Sequence, residues 1–308
     1  MAKNSQKSKS RVKVTTIVLN WNGWQDTNEC LESLNKIRQG SFDHEILVID
    51  NNSQDASVMQ IRKHFSSQKI IINSQNLGFA GGNNVGLKYA LKNGSDYIFV
   101  LNNDTIVEEN CIEELLKIAT ERQVGAVGSK IYFSPGREYH DNYSSEEKGR
   151  VIWFAGGVFD WGNVIGSHKG VDEVDNGQFD EELDCDFLTG CAMFIKADIL
   201  KKTGIFDENY FLYLEDADLS ERIKRIGYKL KLAPKSIVWH KNAASQGNTG
   251  SKLQDYYISR NRMYFAQKFT HTRTKLAIYR EGMKLLLTSR RRGVIDFIFG
   301  RMGKGSWL

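Results

Sequence analysis

Two residues with metal-ligand chemistry stand at the ends of apolar stretches that are typical of buried strands. Asp104 follows the stretch FVLNN, and His240 closes the stretch SIVWH. Because an unpaired carboxylate is costly to bury, a divalent cation would stabilise Asp104, and oxygen ligands suit Mg²⁺ or Mn²⁺. His240 is the candidate for a second ligand. A lone histidine at a strand end is more often an ordinary packed residue, so both interpretations of His240 stay open.

Three carboxylates fall within the first turn of a predicted helix. Glu215, Asp216 and Asp218 follow the aromatic stretch YFLYL, which would place them beside a hydrophobic wall. A partly desolvated carboxylate holds a proton more tightly and can act as a general base. Acidic residues also stabilise a helix N-terminus without binding any ligand, so this alternative stays open as well.

A glycine-rich stretch and one further aspartate could contact a nucleotide. The stretch LGFAGGNNVG, residues 77–86, fails the G-x-G-x-x-G pattern in every register. Its glycines still allow close backbone approach, so its N–H groups could receive a phosphate or a base edge. The alternative is a tight turn without a ligand. Asp50, directly after the apolar ILVI, could bond a ribose hydroxyl or a pyrimidine N–H, or could cap a helix.

Strands and helices alternate through about residue 130, and this order must position the candidate residues. The predicted strands lie at residues 12–21, 44–53, 69–74 and 96–104. The alternation predicts an α/β fold with an open, mostly parallel sheet flanked by helices. All four strands end in polar or glycine-rich sequence, so we expect a ligand site at their shared carboxyl edge. Beyond residue 130 a mixed set of elements is expected to pack on the same sheet.

Charge is concentrated at the two ends of the 308-residue chain. Residues 1–13 carry a net charge of +5 and residues 273–304 carry +7, which leaves −7 for the remainder. An acidic body argues against a nucleic-acid partner. The sequence has no run of 18 apolar residues and no apolar stretch of the secretory type, so we expect a cytoplasmic protein with reduced cysteines.

The basic C-terminal stretch has an amphipathic pattern. Apolar residues recur with arginine and lysine between them, at Leu276, Tyr279, Met283, Leu286 and Leu287. Such a stretch can lie in the interface of an anionic membrane. A helix that packs on the body of the protein or forms a homodimer is the alternative. The expected organisation is a basic disordered N-terminus (1–11), one α/β domain (12–270) and a basic helical tail (271–308).

Seven motifs in order resemble the family-2 glycosyltransferases, inverting enzymes with the GT-A fold. The resemblance covers most of the chain, about residues 12–262, and is closest to the rhamnosyltransferase-like branch that builds bacterial surface polysaccharides. The motifs are VLNWNG, VIDNNS, NLGFAGGNNVG, LNNDT, FLTGCAMFIK, FDENYFLYLEDADLSERIKRIGY and VWH.

The resemblance implies a role for each motif. The NND stretch stands where a metal-binding D-x-D is usual, and Asn102 replaces the first acid, which leaves Asp104 and His240 as the metal ligands. Asp216 is implied as the catalytic base, with Glu215 as the alternate. The implied nucleotide-sugar contacts are Asn20, Asp50, Asn52, Gly78, Phe79, Asn83, Asn103 and Asp104. The implied sugar or acceptor contacts are Trp153, Gly156, Gly157, Thr189 and Gly190.

The implied reaction is metal-dependent transfer of a sugar from a nucleotide diphosphate to a saccharide or lipid-linked saccharide. The branch suggests dTDP-L-rhamnose first, with a UDP-hexose or UDP-galactofuranose as alternatives. A catalytically inactive nucleotide-sugar-binding relative is the non-enzymatic alternative. The tail and a lipid-linked acceptor would together place the protein at the inner face of the cell membrane.

Overall fold

The elements of the chain follow the predicted alternation. The computed structural model describes residues 11–241 and 251–306. The strands are β1 Val12–Asn20, β2 Phe42–Asp50, β3 Lys69–Ile72, β4 Tyr97–Asn102, β5 Thr105–Val107, β6 Val124–Phe133, β7 Ile152–Phe154, β8 Gly157–Asp160, β9 Ile165–His168, β10 Leu183–Asp184, β11 Ala192–Lys196 and β12 Lys229–His240. The helices are α1 Trp24–Asn35, α2 Ser57–His64, α3 Gly78–Lys92, α4 Cys111–Ala119, α5 Ala197–Thr203, α6 Glu215–Arg225, α7 Lys252–Phe269, α8 Thr272–Leu285 and α9 Arg291–Ile298.

The first four strands form the parallel half of one large sheet. They lie in the order β3, β2, β1, β4, and each neighbouring pair is parallel. The register pairs Asn20 with Asp50 and Leu19 with Asn102. The polar strand ends therefore meet at one carboxyl edge, as the sequence predicts.

The second half of the chain extends the same sheet. β11 lies between β4 and β6 and is antiparallel to both, and β12 runs parallel to β6. β5 pairs antiparallel with β12, and β8 pairs with β9 in a separate hairpin. The buried apolar residues of both halves form one cluster, which confirms the prediction of a mixed sheet with one continuous core.

The glycine-rich stretch is part of α3 rather than a turn before it. Gly78 is the first residue of α3, and Gly82 and Gly86 lie inside the helix. A Cβ on Gly86 would lie 2.6 Å from the Ile17 side chain, and a Cβ on Gly82 would meet Leu19 equally closely. Because real Cβ contacts are longer than this, these glycines let α3 lie directly against β1.

The C-terminal stretch is helical, and part of it packs against α7. α9 lies against α7 with Gly293 and Val294 buried, and α8 buries Ile278 and Gly282. In the part of the chain that the structure describes, no helix is both long enough and apolar enough to cross a membrane. Residues 1–10, most of the predicted N-terminal segment, lie outside the described residues.

Candidate active site

A cleft of about 850 Å³ opens at the carboxyl edge of the sheet. The predicted site residues in its wall are Phe79, Asp104, Trp153, Thr189, Gly190, Glu215, Asp216 and His240. The predicted residues that are not part of this wall are Asn20, Asp50, Asn52, Gly78, Asn83, Asn103, Gly156 and Gly157. The fold thus brings the expected metal ligands and the expected base into one cleft, whereas most of the expected nucleotide contacts lie outside its wall.

Asp104 and His240 meet because β5 pairs with β12. The register places His240 opposite Thr105, and the Lys241 N–H donates to the Asp104 carbonyl at 2.9 Å. His240 Nε2 lies 3.1 Å from Asp104 Oδ1, and both side chains are buried. Burial by itself lowers the pKa of His240, but the neighbouring Cys191 and Asp104 outweigh it and raise that pKa well above its usual value.

This pair fits a divalent cation by donor type and by spacing. An octahedral ion with ligands at about 2.1 Å holds neighbouring donor atoms about 3.0 Å apart, close to the 3.1 Å between His240 Nε2 and Asp104 Oδ1. Among residues 11–241 and 251–306, no group of three histidine, cysteine or acidic side chains forms a metal cluster. In Mg²⁺ sites of proteins, phosphate oxygens and water commonly supply the remaining ligands.

Glu215 and Asp216 begin α6 and line the cleft. Asp216 accepts hydrogen bonds from the N–H groups of Gly190 and Ala217, at 2.9 and 2.7 Å. Burial raises the pKa of Asp216, and these two N–H groups oppose the rise. Burial and the adjacent Asp216 raise the pKa of Glu215 well above its usual value, and no described group bonds its Oε2. Carboxylates with raised pKa values in a cleft are suited to proton transfer.

Asp218, the third acid of the motif, is fully buried in an ion-pair network. It accepts from Arg222 Nε at 2.6 Å and from the Tyr210 hydroxyl at 3.0 Å, and it also bonds the Lys268 ammonium group. These contacts tie α6 to α7 and to the segment before α6. The three carboxylates therefore divide into two that line the cleft and one that holds the helix in place.

Asp50 is fully engaged by contacts within the protein. Its Oδ1 accepts from Asn20 Nδ2 at 2.8 Å and from the Ser53 hydroxyl at 2.6 Å, and its Oδ2 accepts from the Ser53 N–H at 3.0 Å. The buried amide of Asn83 and the partly buried amide of Asn103 likewise donate inside the protein, to the Phe79 carbonyl and the Thr27 hydroxyl. Asp50 acts as the cap of the turn after β2, and the ribose or pyrimidine contact stays a prediction.

The N–H groups at the start of α3 are paired within the protein, which corrects the expectation that they are free to receive phosphate. Those of Phe79 and Ala80 donate to the Phe211 carbonyl at 2.7 and 3.3 Å, and that of Gly78 donates to Asn76 Oδ1 at 2.8 Å. Gly78 has a φ of +71°, and a Cβ there would lie 2.4 Å from the Phe211 carbonyl oxygen. Only glycine allows this contact.

Trp153 and His168 form an aromatic wall that the sequence indicated only in part. The Trp153 ring contacts the rings of His168 and His240 edge-on, with 4.6 Å between centroids in each case. His168 Nδ1 donates to the Trp153 carbonyl at 3.0 Å, and burial lowers the pKa of His168 to about 4. No periodic pattern marks His168 in the polar stretch IGSHKG, so sequence analysis missed it.

Gly156 and Gly157, expected to contact the sugar or acceptor, have a packing role in this structure. Gly156 has a φ of +103°, and a Cβ on Gly157 would lie 2.5 Å from both the carbonyl oxygen and the ring of Phe187. Phe187, like Trp153, is part of the cleft wall. Gly157 lets the β8–β9 hairpin approach Phe187, and a Cβ on Gly156 would lie 3.1 Å from Cys185 Sγ.

The fold and the cleft define a glycosyltransferase of the GT-A class. A crystal structure of GalNAc-T7 with UDP, GalNAc and Mn²⁺ has the same fold, with a TM-score of 0.61 at 15% identity over 95% of this chain and 57% of that one. The model of glycosyl transferase family 2 matches residues 15–204. The chain therefore belongs to glycosyl transferase family 2, and it is a glycosyltransferase.

Curated relatives include rhamnosyltransferases, in agreement with the branch predicted from the motifs. Rhamnosyltransferase WbbL of Escherichia coli (strain K12) is 22% identical over 257 residues, 82% of this chain and 92% of that protein. N-acetylglucosaminyl-diphospho-decaprenol L-rhamnosyltransferase of Mycobacterium tuberculosis (strain CDC 1551 / Oshkosh) is 24% identical over 216 residues, 66% of this chain and 68% of that protein. The shares of the relatives' own lengths range from 17% to 92%, and the chain spans only 23% of an uncharacterised relative from Sinorhizobium fredii.

The raised pKa of Glu215 predicts that this residue lowers stability at alkaline pH. A carboxyl group whose pKa is higher in the folded than in the unfolded protein lowers stability as the pH rises above the unfolded value, and the loss is complete above the folded value. Glu215→Gln should therefore raise the free energy of unfolding at pH 8, because the amide places no charge in the buried site. The difference should shrink at pH 4. Chemical denaturation at both pH values measures it.

The matched control is Glu32→Gln on α1, where the side chain is exposed. That substitution should change the free energy of unfolding little at either pH. A Glu215→Gln variant that is no more stable than the parent at pH 8 would contradict the prediction.

Proposed function

We propose that the chain is a metal-dependent, inverting glycosyltransferase that moves a sugar from a nucleotide diphosphate to a hydroxyl of a saccharide or lipid-linked saccharide. The observation that carries this proposal is the single cleft that contains both the Asp104–His240 pair and the Glu215–Asp216 pair. The Asp104–His240 pair is suited to binding the diphosphate through a metal ion, and the Glu215–Asp216 pair is suited to taking the acceptor proton. The acceptor hydroxyl can therefore attack the sugar from one side while the diphosphate leaves from the other side, within the same cleft.

Asp216 is proposed as the base. An acceptor hydroxyl is a poor nucleophile at neutral pH, so Asp216 takes its proton while the acceptor oxygen forms a bond to the anomeric carbon. The bond between that carbon and the diphosphate oxygen breaks, and its electron pair leaves with the diphosphate. Displacement from the opposite face inverts the anomeric centre. The N–H groups of Gly190 and Ala217 hold the Asp216 oxygens in place during this step.

Asp104 and His240 are proposed to hold Mn²⁺ or Mg²⁺. A divalent ion bound there would neutralise the charge that develops on the diphosphate. The donor pair fits the ion in type and separation. Among solved structures of this fold, the GalNAc-T7 structure contains UDP together with Mn²⁺, and a mannosyltransferase structure contains GDP-Man and Mn²⁺, which supports a metal in this chain.

The proposed donor is dTDP-L-rhamnose. The rhamnosyltransferases among the relatives support this sugar. A UDP-hexose or UDP-galactofuranose is the second candidate. The lipid-diphosphate in the name of the mycobacterial relative supports a lipid-linked acceptor.

The outer face of α8 supports contact with an anionic membrane. Leu276 and Met283 are 62% and 52% exposed and lie seven residues apart, which places them on one face of α8. Leu287, in the turn just after α8, is 94% exposed. Arg280 and Lys284 lie beside this apolar face. An exposed apolar stripe flanked by cations is complementary to an anionic bilayer surface. This helix packs on the body through its inner face, so the packed-helix alternative and the membrane interpretation are compatible.

Asp216→Asn is expected to lower turnover at least about a hundredfold, because a general base typically contributes that much. Nucleotide affinity should persist, because the amide keeps the shape of the side chain. Release of nucleoside diphosphate from dTDP-L-rhamnose, with a UDP-hexose and UDP-galactofuranose in parallel, measures turnover. Asp198→Asn, in the first turn of α5 and 62% exposed, is the matched control and should leave turnover unchanged. Equal turnover in Asp216→Asn would remove this residue from the base role.

Asp104→Ala is expected to abolish the metal-dependent part of nucleotide binding, because it removes the anionic ligand of the proposed ion. Calorimetry of dTDP or UDP with and without Mn²⁺ measures this part. Asp104→Asn preserves the shape of the side chain and should give the same loss, whereas Asp43→Ala on β2, 61% exposed, should give none. The same Mn²⁺ dependence in Asp104→Ala as in the parent would contradict the metal site.

The triple variant Leu276→Ser, Met283→Ser, Leu287→Ser is expected to lose most of its binding to vesicles that contain anionic lipid, since it removes the exposed apolar stripe. Co-sedimentation at low and high salt measures binding, and the parent should dissociate at high salt. Met59→Ser on α2, 62% exposed, is the control. Vesicle binding by the triple variant equal to that of the parent would contradict the membrane proposal.

A further inference from the structure

The segment that leads into the catalytic helix, residues 209–214, has an unusual backbone. Phe211, Tyr213 and Leu214 have φ angles of 63°, 69° and 72°, a region that residues other than glycine rarely adopt. Leu214 is followed directly by Glu215 and Asp216. The conformation of this 209–214 loop therefore fixes where both carboxylates enter the cleft.

The side chain of Asn261 on α7 holds the loop from one side. Its Nδ2 donates to the carbonyl oxygens of Tyr210, Leu212 and Tyr213 at 3.0, 2.8 and 2.9 Å. Asn261 is fully buried, so water does not replace these bonds. Carbonyl groups in a left-handed loop have no helix or strand partner, and an unpaired buried carbonyl is unfavourable. The three bonds therefore stabilise the unusual conformation itself.

Arg260 fixes Asn261 and extends the contact. Its Nε donates to Asn261 Oδ1 at 3.0 Å, and its Nη2 donates to the carbonyls of Asn209 and Tyr210 at 3.2 and 2.9 Å. Its Nη1 donates to the Gly303 carbonyl at 2.7 Å. Arg260 is also fully buried. Because Arg260 occupies Asn261 Oδ1, the amide orients its Nδ2 towards the loop.

The start of α3 holds the loop from the other side. The Phe211 carbonyl accepts the N–H groups of Phe79 and Ala80, and Gly78 leaves room for it. The loop thus lies between the N-terminus of α3 and the buried amide and guanidinium of α7. Neither Asn261 nor Arg260 is part of the cleft wall, so their effect on the reaction has to pass through the loop.

We propose that Asn261 and Arg260 are positioning residues, which hold the left-handed 209–214 loop so that Glu215 and Asp216 stand at the acceptor side of the cleft. This inference rests on the proposed function, because it assigns those carboxylates to the acceptor proton. Since the donor pair Asp104 and His240 belongs to other elements, loss of Asn261 should affect the chemical step and leave donor binding intact.

Asn261→Ala tests this in the full-length protein. We expect kcat to fall roughly 10- to 100-fold, the effect of a displacement of about 1 Å at a reacting group, with the donor KM and the calorimetric affinity for dTDP or UDP unchanged. The acid limb of the kcat–pH profile should move to lower pH, because a released loop hydrates the carboxylates and lowers their raised pKa values. Asn261→Asp keeps the side-chain volume but cannot donate the three hydrogen bonds. If Asn261→Ala does not fold, Asn261→Asp replaces it and should give the same changes in kcat and in the acid limb.

Two controls on α7 separate positioning from stability. Ser259→Ala and Phe265→Leu alter buried residues of the same helix and should keep kcat and the pH profile of the parent, even where they lower the melting temperature. An Asn261 variant whose kcat and acid limb match those of the controls would overturn the proposal. A parent protein that transfers no sugar from any donor would instead contradict the proposed function, so the two failures are distinguishable.

Discussion

The antiparallel pairing of β5 with β12 is the contact on which the candidate active site depends. β5 is only three residues long, and its register sets Thr105 opposite His240. Asp104 precedes β5 and His240 ends β12, so the ladder alone brings a carboxylate and an imidazole from distant parts of the chain within 3.1 Å. Their apolar neighbours Val107 and Val238 are buried in the core, and the register is therefore fixed by burial as well as by hydrogen bonds.

The site contains several features that are unfavourable to folding. Glu215 and Asp216 are adjacent carboxylates with raised pKa values, and the residues before them include three with positive φ. Each left-handed residue costs on the order of 1–3 kcal/mol. Such features persist where surrounding contacts determine the conformation, and they concentrate at functional sites. Here the surrounding contacts come from the N–H groups at the start of α3 and from the polar side chains of α7.

Glycine patterns show how a correct chemical argument can lead to the wrong contact. The glycines of residues 77–86 suggested close approach of a phosphate, and close approach does occur at Gly78. The approaching group is the Phe211 carbonyl of the same chain, far away in sequence. The oxygens of Asp50 also bond groups of the same chain, on Asn20 and Ser53, and its contact with a ribose or pyrimidine stays a prediction. A sequence pattern can indicate that a residue allows a close contact, but it does not identify the group that makes the contact.

The sequence by itself determined the class of fold, the family and the edge of the sheet that carries the cleft, and it indicated Asp104, Glu215, Asp216 and His240 as candidate site residues. These follow from local hydrophobic periodicity and from ordered motifs, which are properties of neighbouring residues. Only the tertiary structure decided that Asp218 belongs to an ion-pair network, that His168 lines the cleft, and that Asn261 bonds the loop before α6. Each of these depends on atoms brought together from separate elements, and no local pattern records that proximity.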